Sequence, residues 1–412
     1  MGRTEQNINR ILQRYPNAKR GIKRAYQSAM CRLSPPPRSE GDIRRLSPDD
    51  GYEYFFGYYD KSPWDAGDER ILCLRVRCAY EKPDNDEKAD IILIDEATGK
   101  TDVLASTHSW NVQQGCMLQW LGPDHSDRII YNDYRDGKYC SVIRGVADGT
   151  ERVLPMPVYS VSSDGRFALT LDFDRLHALR PGYGYCNNGA KAGDFSNDGT
   201  AIWRVSLDTG EVTELFSLSD FTEHDRKDAF SGPIHKVNHI MISPDNDKFM
   251  VLHRWISGGR RSTRLLVCDC DGGNMRTVLD DGFVSHCYWK DNDTIITFAE
   301  VSGRRGYYLI GPGRDDIRQL WPEMNGDGHP SYSVTGRVVT DSYPDRRRVS
   351  RIYVLDDQDE TPCVVAKVFS PFRYDEEVRC DLHPRWNRAG DKICFDGSFE
   401  GKRGLYCIEN IK

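Results

Sequence analysis

Nowhere in the 412 residues is there an apolar run of 18 or more, and the N-terminus lacks the short apolar core and small-residue cleavage site of a secretory signal. The expectation is a cytoplasmic protein with no membrane-spanning helix. Paired metal-type cysteine spacing is missing as well. The 13 cysteines, an odd number, are scattered through strand-like segments, and the one close pair, Cys268 and Cys270, puts both sulfurs on one face of a strand. Buried reduced thiols fit this pattern, and a disulfide framework does not. A large net charge is lacking too: at −7 the chain has no bulk electrostatic footprint for nucleic acid.

The charge that is present is unevenly placed. Residues 1–32 carry eight Lys and Arg against Glu5 alone, so this stretch is +7 and the remainder −14. Ile8, Ile11, Leu12, Tyr15, Ile22, Tyr26 and Met30 fall at loosely helical spacing, with Pro16 expected to divide the stretch into two helices. Ser34-Pro35-Pro36-Pro37 then ends it. Residues 1–40 read as a basic helical leader and Pro-rich linker outside the core. The leader is either a solvated tail or a surface, residues 1–32, that meets an acidic partner or the inner face of an anionic membrane.

From residue 41 the chain changes to short β-rich runs separated by turn signals, which calls for an all-β fold. One unit recurs: an inner strand, a turn at Gly, Asn or Asp, then a β-rich strand. Examples are His239–Asn246 before Lys248–Leu252, His286–Asp293 before Thr294–Phe298, and His383–Gly390 before Lys392–Phe395. Seven copies can be written, and their anchors lie 54, 44, 81, 47, 43 and 54 residues apart. All but one of these spacings suit a four-stranded blade of about 40–50 residues. The long unit holds two insertions, about 174–199 and 219–236. A lone four-stranded sheet cannot bury both faces, whereas radial stacking of blades does. The expected fold is therefore a seven-bladed β-propeller over residues 41–412. Its last blade stops at a third strand, Gly404–Glu409, so Asp42–Leu46 is expected to supply the fourth and remove the exposed edge.

The start of each inner strand is Asp60, Gln114, Val158, His239, His286, His329 and His383 in turn. Four of only ten histidines thus occupy one repeated place. Rotation about a propeller axis maps equivalent positions onto a ring. Either each histidine caps its strand against the next blade, or the four imidazoles converge at the axis, where they suit metal ligation and proton transfer. Asp327 and Asp381 precede two of them by two residues, on the same face of an extended strand. Further polar candidates surround the ring: Tyr59 and Asp60, Gln113 and Gln114, Arg385, and the first insertion with Arg175, Arg180 and Tyr183.

The runs Asn238-His239-Ile-Met-Ile-Ser-Pro-Asp245, His286-Cys-Tyr-Trp289 and His383-Pro-Arg-Trp-Asn-Arg-Ala-Gly390 resemble the oligogalacturonate lyase family of TolB-type propellers, over about residues 237–409. The resemblance implies one divalent metal, manganese by preference, at His286, His329 and His383. It also implies His239 as the base of a β-elimination from a uronate. Where the family has a closely spaced Gln and paired His, this chain offers Asp327 and His329. β-Elimination needs the carboxylate neutralised so that the C5 proton becomes removable, a base for that proton, and an acid for the departing O4. Arg175, Arg180 or Arg385 could replace the metal, leaving no cofactor, and Tyr183 could move a proton. Tyr59, Asp60, Gln113, Gln114 and Arg180 are the candidates for binding an acidic oligosaccharide or polysaccharide. Two other readings stay open. One is a glycan-processing or transfer protein of polysaccharide biosynthesis, for which Asp60 with Asp327 or Asp381 could form a carboxylate pair. The other is a non-catalytic interaction scaffold.

Overall fold

The computed structural model describes residues 16–411 apart from 233, 258, 259, 312, 314, 315 and 360. Seven antiparallel sheets follow one another along the chain as the blades of a propeller. Blade one runs Glu53–Phe55, Arg70–Val76, Ala89–Asp95 and Thr101–Thr107, and blade two begins at Gln119–Trp120. Blade four is the longest, with His235–Ile242, Lys248–Ser257, Arg260–Asp269 and Arg276–Leu279. Blade five starts at Val284–Trp289, blade six at Ser331–Tyr332 and blade seven at Arg385–Trp386.

The repeated grammar has identifiable physical causes. Its turn reverses the chain through a left-handed residue, at Gly165 with φ 69° and Asn246 with φ 65°, which only Gly and Asn enter cheaply. Its tryptophan joins neighbouring blades. The indole N–H of Trp120 donates to the Pro63 carbonyl at 2.9 Å, that of Trp289 to Met241 at 2.9 Å and that of Trp386 to Ser331 at 3.3 Å. A fully buried indole needs such an acceptor, so the residue that fills the space between sheets also sets their spacing. All 13 cysteines are free thiols, most of them buried in these sheets.

The N-terminal side closes the ring. Ile43, Arg44 and Arg45 pair with Ile408, Cys407 and Tyr406, completing blade seven. Ser39 and Glu40 also pair with Val368 and Lys367, a fifth strand on blade six. Between the two strands, Gly41 has φ 120°, and a Cβ there would lie 2.5 Å from the Val365 carbonyl, so the step between blades requires glycine. The sheet structure therefore begins at residue 39, inside the stretch expected to be linker.

One helix spans Pro16–Leu33. Pro16, expected to divide the leader into two helices, stands at the start of this one, in the first turn, where its missing N–H costs nothing. Ile8, Ile11, Leu12 and Tyr15 lie outside the described residues. The helix rests on the blade-six loop 342–348: the Gln27 amide donates to the Asp345 carbonyl at 3.1 Å, and Arg347 donates to Ser34 Oγ at 3.1 Å.

The first insertion opens with the helix Phe173–Leu179, capped by the Asp172 carboxylate, and its Phe173 and Tyr185 rings stack at 4.4 Å. The second carries the helix Leu218–Glu223 and is fastened to blade four by a buried polar chain. In that chain Arg264 Nε donates to His253 Nδ1 at 3.1 Å, and His253 Nε2 meets His235 Nδ1 at 2.8 Å.

Candidate active site

The four repeated histidines do meet. Their rings surround that of Tyr59, with centroids 5.9 Å away for His239, 5.8 Å for His286, 5.2 Å for His329 and 6.3 Å for His383. His286 and His329 are 4.1 Å apart, and His329 and His383 are 4.4 Å apart. Two of the inner strands are irregular at this point. The register of blade four breaks between Asn238 and Met241, where His239 has φ 60°, and that of blade five breaks between Val284 and Cys287. A bulge re-aims one side chain without changing the rest of the strand, and here it turns histidine to the axis.

Tyr58 and Tyr59 enter the same space from the loop after Phe55. The Tyr59 hydroxyl donates to the Cys287 carbonyl at 2.8 Å and lies 3.1 Å from His239 Nε2, and the Tyr58 hydroxyl lies 3.3 Å from His239 Nδ1. Burial pushes the His239 imidazolium down to about 3. Both ring nitrogens of His239, the expected base, are thus engaged by tyrosines, and Tyr58 stands between it and the open cleft. His239 positions Tyr58.

That cleft, about 430 Å³, is lined by Tyr58, Arg180, Tyr183, Arg254, Arg261, His286, Asp327 and Tyr343 among others. Its cations are crowded. Burial, then Arg254, Arg180 and Arg261, push the Lys236 ammonium behind it down to about 6. Burial followed by Arg180 and Arg254 likewise lowers Arg261. The buried Arg254 Nε has no hydrogen-bond partner among the described residues. Asp327, the carboxylate in the lining, is held by Ser285 and His286, so the gathered like charges are held ready for an anion. Beside them, burial alone would raise the Tyr183 phenol, but Arg379 and Arg180 outweigh it and bring it below its ordinary value. Arg379 Nη2 donates to the Tyr183 hydroxyl at 2.9 Å, and Arg379 Nε lies 2.7 Å from Asp381.

Beside Arg379, His329, Asp381 and His383 bring one donor atom each within 4.8 Å of one another, all three residues being buried. His329 Nδ1 is fixed by Asp341 at 2.8 Å; among the described residues its Nε2 has no hydrogen-bond partner, and neither ring nitrogen of His383 has one. Orphaned lone pairs in a buried site cost about 1–3 kcal/mol each unless something binds them. Two imidazole nitrogens and a carboxylate suit a divalent first-row metal, and a carboxylate behind the ligating imidazole is the usual support. His286, expected as the third ligand, lies outside this group, and Asp381 stands within it; Asp327 holds His286 Nδ1 at 3.0 Å.

The remaining candidates divide clearly. Arg180 and Tyr183 line the cleft. Arg175 turns away, donating from Nε to the His235 carbonyl at 3.1 Å, so it anchors the insertion to blade four and cannot act on a ligand. Arg385 is sealed against Asp396 at 3.2 Å and donates to the Tyr58 carbonyl at 3.0 Å, which makes it the brace of the tyrosine loop. Gln113 holds the carbonyls of Glu377 and Arg379, and Gln114 holds the Tyr159 hydroxyl, so both act in the wall. Asp60 pairs with Lys61 at 2.7 Å and, with Tyr59, lines a separate cavity of about 140 Å³, so it forms no carboxylate pair across the cleft. Arg254, Arg261, Arg379 and Tyr343 were not anticipated. Arg254 and Arg261 come from the blade-four hairpin, whose ten-residue strands overreach the four to eight residues of most others; that excess length was the available signal.

No protein-family model matches the sequence, and no curated protein matches it. Among solved structures, an oligogalacturonate lyase in complex with manganese aligns with a TM-score of 0.65 and 19% identity, over 90% of this chain and 95% of that one. An oligogalacturonate lyase from Vibrio parahaemolyticus gives 0.64 at 14% identity, over 91% and 96%. A prolyl endopeptidase gives 0.52 at 12% identity, and the match spans only 47% of its length. At these identities the likeness is one of fold: the chain has the seven-bladed propeller architecture of the oligogalacturonate lyases along nearly its whole length.

Proposed function

We propose that the protein is a lyase that cleaves a uronate-containing oligosaccharide by β-elimination in the cleft between Arg180, Tyr183 and Arg254. The observation that carries this reading is the meeting, in one cleft, of three guanidinium groups with no ion pair to a carboxylate among the described residues and a phenol of lowered pKa. Arg180, Arg254 and Arg261 bind and neutralise the uronate carboxylate, which makes the neighbouring C5 proton removable. The Tyr183 phenolate, stabilised by Arg379, takes that proton. The C5–H electrons form the C4–C5 double bond as the C4–O4 bond breaks. O4 receives a proton from Tyr58, whose phenol burial holds well above its ordinary value and therefore keeps protonated. His239 orients Tyr58, and the Tyr58–Tyr59 pair closes the channel behind the substrate. His329, Asp381 and His383 would hold a divalent metal, which when bound supplies further polarisation of the carboxylate.

The test is incubation of the full chain with a panel of oligouronides, following the ultraviolet absorbance of the conjugated unsaturated product. Tyr183→Phe is expected to abolish the signal while substrate still binds. New reducing ends without unsaturation would assign hydrolysis instead and overturn the reading.

A further inference from the structure

We propose that the helix Pro16–Leu33 is an interfacial anchor that seats the propeller on an anionic membrane surface through Ile22, Tyr26 and Leu33. The helix is mounted the opposite way from an ordinary surface helix. Round a helix of 3.6 residues per turn, Ile22, Tyr26, Ala29 and Leu33 fall within about 60° of one another. Gln27 and Cys31, which donate to the Asp345 and Arg347 carbonyls, lie on the far side, roughly 140–180° away. The polar face therefore docks on the protein and the apolar stripe faces solvent: Ile22 is 55% exposed, Tyr26 51% and Leu33 81%. An amphipathic helix normally buries that stripe, and among the described residues nothing covers it.

Charge identifies the occupant. Lys23 and Arg32 flank the stripe on opposite sides, both exposed, and residues 1–32 carry +7 while the rest of the chain carries −14. Two such helices repel each other, which disfavours a second copy, whereas a bilayer rich in acidic headgroups attracts the basic flanks and takes up the apolar side chains. No helix among the described residues is long and apolar enough to cross a membrane, so the contact is a surface one. The loop 342–348 also carries Tyr343 into the cleft while Asp345 and Arg347 lie under the helix, so the anchor and the cleft share one loop.

The test is co-sedimentation of the full chain with phosphatidylserine–phosphatidylcholine vesicles and with phosphatidylcholine alone. Binding is expected to the acidic vesicles, weakening with added salt. It should fall about tenfold or more in Ile22→Glu/Leu33→Glu, which removes two apolar side chains from the contact. Because those side chains face solvent, the variant keeps its melting temperature. Binding to neither vesicle, binding that survives the double variant, or a dimer in solution that the double variant dissolves would each overturn the proposal.

Discussion

Replacing Arg379 with Met should move the pH dependence of the proposed elimination in a calculable way. Arg379 Nη2 donates to the Tyr183 hydroxyl at 2.9 Å, and together with Arg180 it holds that phenol below its ordinary value of 10. A hydrogen bond from a charged donor is worth about 1.5–3 kcal/mol. At 1.36 kcal/mol per pKa unit, its loss raises the phenol by about 1–2 units. If Tyr183 must be ionised to take the C5 proton, the rate rises with pH through its ionisation. The variant's acidic limb then shifts about 1–2 units upward. Below the limb the phenolate fraction, and with it kcat, falls about 10–100-fold; above the limb the two proteins converge. A merely structural role for Arg379 would depress the rate equally at every pH. Ultraviolet difference titration of the free protein, compared with Tyr183→Phe, reads the same ionisation without substrate. An unmoved limb, or Tyr183→Phe with full activity, refutes the reasoning.

Other consequences are equally direct. Elemental analysis should find a divalent metal that is lost in His329→Ala, Asp381→Ala and His383→Ala but retained in His286→Ala, which lies outside the donor group. Because burial, helped by the neighbouring guanidinium groups, brings Lys236 down to about 6, an anion bound beside it raises that value and binding takes up a proton; affinity for an oligouronide should therefore weaken as pH rises above about 6, and Lys236→Met should flatten the dependence in calorimetric titrations. Deleting residues 1–38 removes a helix held by a few hydrogen bonds and should lower the melting temperature by less than about 5 °C. Deleting 1–46 strips the strand Ile43–Arg45 and the buried Leu46 from blade seven, and scanning calorimetry should show a loss at least twice as large.

The propeller was legible because its repeat is enforced by physics at each copy. Gly165 and Asn246 recur where the turn needs a left-handed residue, and Trp289 and Trp386 recur where an indole must reach the neighbouring blade. The histidine ring was legible for the same reason, since rotation carries one repeated position onto another. What surrounds the ring was not, because it is not repeated. Arg254 and Arg261 reach the cleft on an overlong hairpin, and nothing in their sequence neighbourhood marks them apart from Arg264, which is buried against His253. Arg175 and Arg180 lie five residues apart in one insertion, yet a single helical turn and its C-cap send one guanidinium to a carbonyl and the other to the cleft. The leader was legible as helix, since Pro16 stands where a helix can begin, but its docking on the loop 342–348 was not, because it rests on a few polar contacts.

The ring itself explains how a repeat comes to hold chemistry. The four histidines share a position and are all buried, so burial alone would depress every one of them. It does so for His239, whose neighbours are tyrosines and a backbone carbonyl, and for His383, which has no carboxylate on its ring. His286 stays lowered despite Asp327 at 3.0 Å. Only His329 is raised: burial lowers it, but Asp341 at 2.8 Å, aided by Asp381 and Asp327, outweighs that cost. Asp341 closes the second strand of blade six; blade seven carries Asp396 at the matching place, but there the carboxylate holds Arg385 and the Phe56 N–H. Equivalent positions thus supply convergence, and the different partners of the carboxylates make the converging residues unlike. An imidazole that is neutral and unpartnered, beside one oriented by a carboxylate, is an arrangement that can bind an ion or position a substrate, whereas four identical histidines would only repel as they charged.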